Sequence, residues 1–201
     1  HISKNNTQKF KTKINKLIIS KANGIANAWN RGIKEAIGDY IFILNSGDAY
    51  EKDFLEIYSK NISSSDYIYC STAKLQNSLK TKLVGKFIAK PYALWRGMHI
   101  AHCSICMPRE MFKRYGYYPE IDNAMDFSLF AKIYKLNGKN IFKVINSSSF
   151  ALYTLGGHSD INYFKGLSQS RKINIEQGMN PLKAFLIESV YKIKFILINS
   201  I

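Results

Sequence analysis

Acidic side chains are scarce in this chain: 14 Asp and Glu stand against 29 Lys and Arg, which gives the 201 residues a formal net charge of +15 at neutral pH. An excess of that size suits an anionic partner, whether a nucleic acid, an anionic membrane face or a diphosphate-bearing substrate. A solvated lysine-rich surface is the plainer explanation. Recognisable readers of nucleic acid leave traces that are missing here, namely an aromatic-basic RNP pattern, zinc-finger spacing or a basic helix followed by heptads, so no nucleic-acid partner is expected. Cysteine is sparse too. Cys70, Cys103 and Cys106 are too few and too irregularly placed for a disulfide framework, which suits a reducing compartment. No apolar run approaches the ~18 residues of a spanning helix, and no signal-peptide pattern opens the chain. The expected location is cytoplasmic.

Apolar content, in contrast, reaches 46%, enough for one sizeable core at this length. Its periodicity alternates between helical and strand patterns, the signature of an α/β sheet. Helices are expected over Thr7–Ile14, Ile25–Ile37, Glu51–Lys60, Pro108 to Gly116, Met125–Leu136, Ile161–Gln177 and Pro181–Asn199. Strands are expected over Leu17–Ser20, Tyr40–Leu44, Tyr67–Ser71, Lys82–Ile88, Ile100–Met107, Ile141–Ile145 and Phe150–Leu155. Tyr40–Leu44 is apolar without interruption, as a central strand requires, and Gly38 is the expected stop of the helix before it. If Ile100–Met107 is a strand, alternation puts His102 and Cys106 on one face and Cys103 on the other, so the two cysteines cannot close on one zinc ion.

The most informative stretch is Asn23-Gly24-Ile25-Ala26-Asn27-Ala28-Trp29-Asn30-Arg31-Gly32-Ile33, followed by Gly38-Asp39-Tyr40-Ile41-Phe42-Ile43-Leu44-Asn45-Ser46-Gly47-Asp48. It reads as a small-residue-rich helix feeding a buried strand that ends on Asp48, where open α/β sheets place their ligands. An ordinary helix, strand and turn with an acidic cap would read the same way. Gly24, Ala28, Asn30, Gly32, Ile33, Gly38, Asp39 and the Leu44-Asn45-Ser46-Gly47-Asp48 block resemble the family 2 glycosyltransferases with the GT-A fold. His102, Pro108-Arg109-Glu110, Gly116, Glu120, Asp126 and Gly156-Gly157-His158-Ser159 follow in that family's order. The resemblance runs from about Lys16 to Asp160 and rests on several separated motifs. It departs at Asn23 and Asn27, where amides stand in place of the family's usual acids.

The resemblance implies an α/β, GT-A-like (Rossmann-like) mixed sheet flanked by helices, occupying residues 1–160, with a C-terminal helical appendage over residues 161–201. It also implies that the domain's first strand-helix unit is lacking, because the chain opens on His1 and Ser3–Phe10 read as the tail of the second unit's loop. Weak nucleotide binding and an edge at Leu17–Ser20 open to a second copy, hence a homodimer, are the matching expectations.

In such a family a nucleotide-sugar donor loses its diphosphate, whose charge is normally neutralised by Mg²⁺ or Mn²⁺ on a hard carboxylate oxygen. Asp48 is the candidate metal ligand, with Ser46 beside it and Gly47 letting the backbone approach the phosphates. Asn23, Gly24, Asn27, Asn30 and Arg31 are the further candidate donor contacts. Asp126 takes the place of the family's catalytic base, although an acid at a helix start is also an ordinary cap. The helix dipole would lower its pKa, with burial or Asp122 retuning it. His102 matches a family histidine that lines the donor or acceptor pocket, and a satisfied buried histidine is the alternative. Gly156-Gly157-His158-Ser159 forms a tight loop from which His158 can reach the metal or phosphate, or a mere turn before a helix. Arg171 and Lys172 are weaker diphosphate candidates.

Leu182, Phe185, Leu186, Val190, Ile193 and Leu197 recur at helical spacing with Lys183, Lys192 and Lys194 among them, so the last helix packs on the domain, lies on the inner face of a membrane or pairs with a second chain. The function implied is inverting, metal-dependent sugar transfer to a saccharide or lipid-linked acceptor in bacterial surface polysaccharide or glycolipid assembly. A non-catalytic binding or scaffold relative is the alternative, ahead of a basic nucleic-acid module.

Overall fold

The computed structural model describes residues 15–19, 21, 23–79 and 82–199. The helix expected over Thr7–Ile14 lies outside the described residues. In order, the elements are α1 (Ile25–Glu35), β1 (Tyr40–Phe42), β2 (Ala49–Tyr50), α2 (Phe54–Asn61), β3 (Ile68–Cys70), β4 (Ala73–Gln76), β5 (Leu83–Phe87), β6 (Cys106–Pro108), α3 (Arg109–Tyr115), α4 (Met125–Asn137), β7 (Phe142–Val144), β8 (Ala151–Thr154), α5 (His158–Ile161), α6 (Tyr163–Glu176) and α7 (Pro181–Asn199). The strands form two mixed four-stranded sheets, ordered β1-β6-β3-β7 and β2-β8-β4-β5.

The first sheet is covered on both faces, which explains its unbroken apolar strands. Because side chains alternate, Ile68 and Cys70 of β3 point into one cluster with Ile41, Met107, Ile33, Met111 and Phe130, while Tyr69 points into another with Cys106, Phe54 and Tyr58. Helices α1, α3 and α4 fill the first side and α2 the second. β1 runs antiparallel to β6 with Ile41 opposite Met107, and β3 pairs β7 in parallel. Among the described residues β1 is an outer strand of this sheet, so its apolar run reflects cover on both faces and not a central position.

Several expectations are corrected. Helix α1 ends at Glu35, before Gly38, because Ala36 turns extended while its N–H reaches the carbonyls of Gly32 and Ile33. Leu17 to Ile19 lie in no ladder and are exposed, so the strand and pairing edge expected there do not appear among the described residues. Ile100–Met107 is not one strand. His102–Ser104 is a 3₁₀ turn held by Ser104 Oγ, which donates to the carbonyls of Ser71 and Ala101, each at 2.8 Å. The kink sends His102 toward Trp29 and places Cys103 and Cys106 together in the second cluster, which reverses the alternation expected. All three cysteines are free and buried. The second sheet adds β2 and β4, strands too short or too polar to stand out in the sequence.

The C-terminal helices are knit into the domain. Glu188 of α7 is buried and takes Arg171 and Lys192 as ion pairs, each at 2.7 Å, and a hydrogen bond from Ser168 Oγ at 2.8 Å. These partners hold its carboxyl below the ordinary range although burial pushes the other way. Gln169 of α6 accepts from the backbone N–H of Asn123 and Ala124 at 3.0 and 3.1 Å, bracing the segment that leads into α4.

Candidate active site

A cavity of about 520 Å³ opens between the start of α1, the Asn45–Asp48 loop, the 96–102 segment, the start of α4 and helices α5 to α7. Ser46, Asp48, His102, Asp126 and His158 all line it. Asn23, Gly24, Asn27, Arg31 and Gly47 do not. Asn30 is also absent from its wall, because its carboxamide brackets the Tyr118 backbone: Nδ2 donates to the carbonyl at 2.7 Å and Oδ1 accepts the N–H at 2.9 Å. Asn27 Nδ2 donates to the Asn23 carbonyl at 2.7 Å, closing the first turn of α1. The motif that suggested donor contacts thus shapes the helix and its seating.

Asp48 enters β2 from a tight turn. Gly47 sits at φ +104°, where a side chain would be strained, and Thr154 of β8 locks the turn by donating from Oγ1 to the Gly47 carbonyl at 2.7 Å. The Thr154 N–H donates to Asp48 Oδ1 at 2.9 Å, which fixes how the carboxylate faces the cavity. Gln76 Nε2 donates to Thr154 Oγ1 at 2.7 Å and completes the brace. Among the described residues no group of three or more His, Cys, Asp or Glu side chains gathers as a metal cage. One oriented carboxylate suits a Mg²⁺ or Mn²⁺ ion whose remaining ligands are phosphate oxygens and water, since Mg²⁺ commonly takes few protein ligands.

Asp126 lies in the first turn of α4 but is not its cap. The N-cap position is Ala124, which has no side-chain cap bond, while Asp126 Oδ1 accepts the neighbouring Phe127 N–H at 2.7 Å. Burial pushes its carboxyl up to about 6 against these backbone donors, so desolvation outweighs the lowering expected of a helix N-terminus. Asp122 is exposed and paired with Lys165, and it takes no part in that shift.

His102 is buried, and burial pushes its imidazole down to about 3, leaving it neutral. Its Nε2 shares a hydrogen bond with Tyr118 Oη at 3.0 Å, its ring stacks on Trp29, and Nδ1 has no hydrogen-bond partner among the described residues. His158 is exposed at the rim, at the first position of α5, where the Gly156 N–H donates to Asp160 Oδ2 at 2.6 Å.

Sequence reasoning missed Trp29, Asn45 and Arg96 as wall residues. Trp29 Nε1 donates to Asn45 Oδ1 at 3.0 Å, tying α1 to the Asp48 loop; both residues stood inside the singled-out motifs and offered a signal. Arg96, in Trp95-Arg96-Gly97, offered none. Arg171 faces Glu188, not the cavity.

The family pattern described as glycosyl transferase family 2 matches residues 3–116. An uncharacterized glycosyltransferase of Rickettsia conorii is 36% identical over 96 residues, which cover 45% of this chain and 15% of that protein. A counterpart in Rickettsia felis is 34% identical over the same length and shares. Among solved structures, S. aureus TarS 1-349 superposes with a TM-score of 0.59 at 16% identity, over 90% of this chain and 55% of that one. Its complex with UDP-GlcNAc gives 0.62 at 14% identity, over 90% and 56%. The chain therefore spans about half of TarS 1-349 and a small part of the curated relatives, and the likeness to TarS shows a shared GT-A-like fold. The family match takes in the helix, the strand and the Asp48 turn that build one wall of the cavity, and it covers more than half of the sequence: the chain belongs to glycosyl transferase family 2.

Proposed function

We propose that the cavity takes a nucleotide-sugar donor and transfers its sugar, with inversion, to a hydroxyl of a saccharide or lipid-linked acceptor, in surface polysaccharide or glycolipid assembly. The observation that carries this reading is the pairing, in one cavity, of an oriented carboxylate at the head of β2 with a half-buried carboxylate of raised pKa. TarS, which shares the fold, has been seen with UDP-GlcNAc and with UDP, and this supports a nucleotide-sugar donor.

Asp48 would hold a divalent cation, which when bound offsets the charge of the departing diphosphate. Asp126, ionised above about pH 6, accepts the proton of the acceptor hydroxyl as its oxygen bonds to the anomeric carbon. The bond from that carbon to the phosphate oxygen breaks on the opposite side, so configuration inverts. A base with a pKa near the working pH combines the right protonation state with a strong enough drive for proton transfer. His102, neutral and packed on Trp29, adds no charge and keeps the wall fixed.

The test is release of nucleoside diphosphate from UDP-, GDP- and dTDP-sugars. Asp126→Asn is expected to lower turnover by about 10²-fold or more with donor affinity little changed. An equal loss of donor binding would mark Asp126 as structural.

A further inference from the structure

The cavity is electrostatically divided. Asp48, Asp122, Asp126 and Asp160 line it elsewhere, whereas the wall made by residues 96–99 and Tyr191 of α7 carries a single charge, the cation of Arg96. Arg96 lines this second wall. The residue is half-buried, but its Nε is buried without a hydrogen-bond partner, and among the described residues no carboxylate pairs with it; its guanidinium lies 5.8 Å from the centroid of the Trp95 ring. Next to it His99 Nε2 meets Tyr191 Oη at 2.8 Å. Burial first, and then the positive charges of Arg96, Lys90 and Lys194, push the His99 imidazole down to about 4, which leaves it neutral. A guanidinium nitrogen shut off from water and left unpaired at the wall of a cavity is costly unless a ligand supplies the missing partner.

We propose that Arg96, with His99 and Tyr191 beside it, forms an anion-binding subsite that receives a phosphate or diphosphate group carried by the acceptor. This rests on the transferase reading and names its acceptor class. Arg96 is separate from the donor end because the elements that orient Asp48, the Asn45–Asp48 turn and Thr154 of β8, take no part in the Arg96 wall, which 96–99 and α7 build. A guanidinium suits a phosphate group through paired N–H donors.

The probe is inorganic pyrophosphate, titrated calorimetrically into the 201-residue chain in EDTA, so that a metal on Asp48 cannot hold it. Binding is expected in wild type and in Asp48→Asn, and is expected to weaken at least about tenfold in Arg96→Gln, with Arg96→Lys recovering part of it. Melting temperatures check that each variant is folded. Absence of EDTA-resistant binding, or equal binding by folded Arg96→Gln, overturns the subsite. If Arg96→Gln also weakens nucleoside diphosphate binding with Mg²⁺ by the same factor, Arg96 belongs to the donor and the acceptor assignment is overturned. Failure of the transferase reading would show differently, as nucleotide that does not bind while pyrophosphate does.

A second inference rests on the far side of α7. Leu182, Phe185, Leu186, Val190, Ile193, Ile196 and Leu197 are all exposed, and at 100° per residue they form one continuous stripe. Lys183 and Lys194 stand at one border, with Lys183 Nζ 4.7 Å from the Trp95 ring centroid, while Lys192 at the other is held by Glu188. The only acid of the helix, Glu188, is buried on the opposite face. No described helix is long and apolar enough to cross a membrane. An apolar stripe bordered by the exposed Lys183 and Lys194, on a chain of charge +15, is complementary to anionic lipid, with the apolar side chains entering the interface and these two ammonium groups at headgroup level.

We infer that α7 docks on an anionic membrane surface, independently of the transfer reaction. Co-sedimentation with vesicles of phosphatidylcholine plus phosphatidylglycerol is expected, with little on phosphatidylcholine alone. Leu186→Glu combined with Ile193→Glu is expected to abolish it without lowering the melting temperature, since both side chains are exposed. Sedimentation unchanged by that double variant, or none in wild type, overturns the inference. A dimer in solution that the same variant dissolves would assign the stripe to a second copy instead.

Discussion

The indole of Trp29 lies flat against the imidazole of His102, with ring centroids 4.2 Å apart and planes 8° from parallel. This contact joins α1 to the kinked segment before β6, and the same indole donates to Asn45 in the Asp48 turn. Tyr118 closes the group, edge-on to both rings and bonded to His102 Nε2. A charged imidazole would have to be buried in this packing, so His102 links the site wall to pH.

The expected consequence is acid lability. His102 titrates near 3 and His99 near 4 in the folded chain, against an ordinary 6.5. Below 6.5 the unfolded chain takes up protons that the folded chain refuses, so stability falls as pH drops through that window. Asp126 opposes this between about 6 and its ordinary 3.8, because there the folded chain keeps a proton the unfolded chain has lost. Two histidines outweigh one aspartate. The urea midpoint should therefore be lower at pH 5 than at pH 7, and His102→Gln should shrink the difference; a midpoint higher at pH 5 would contradict this.

The raised pKa of Asp126 makes a paired prediction. Keeping an ionised, desolvated carboxylate costs stability above about pH 6, so Asp126→Asn should stabilise the fold at pH 7.5 by on the order of 1 to 3 kcal/mol while reducing transfer. For the unsubstituted chain, kcat/KM should fall as pH drops below about 6. A destabilised Asp126→Asn at pH 7.5 would mean the carboxylate has a structural partner that outweighs its desolvation.

Asn30 should behave as a fold residue. Asn30→Ala removes both bonds to the Tyr118 backbone and leaves two peptide groups unsatisfied, a loss of about 1 to 3 kcal/mol by chemical denaturation. Asn30→Asp keeps the acceptor for the Tyr118 N–H but loses the Nδ2 donor, so an intermediate loss is expected. Full stability in Asn30→Ala would show the bracket to be idle.

Much of the fold was legible because its signals are local. The α1 helix, the β1 run and the Asn45-Ser46-Gly47-Asp48 turn carry their structure in adjacent residues, and the turn's glycine does adopt the positive φ that the sequence invites. What was not legible depends on distant partners. Nothing near Ile100–Met107 announces that Ser104 will bond Ser71 and break the strand. Asp126 had an ordinary cap as its alternative reading, and nothing local announces that Gln169, 45 residues downstream of Ala124, takes the backbone N–H groups that lead into its helix. Residues 161–201 read as an appendage, yet Tyr163, Leu167 and Tyr191 line the cavity. Arg96 carries no motif, and its interest comes from a buried Nε left without a partner, which only packing creates.

The division of labour between the two carboxylates is tested most directly by calorimetric titration of nucleoside diphosphate into the chain with Mg²⁺ and with EDTA. Expected is binding that EDTA weakens, that Asp48→Asn weakens to the same extent, and that Asp126→Asn leaves essentially unchanged. Affinity indifferent both to EDTA and to Asp48→Asn would contradict it.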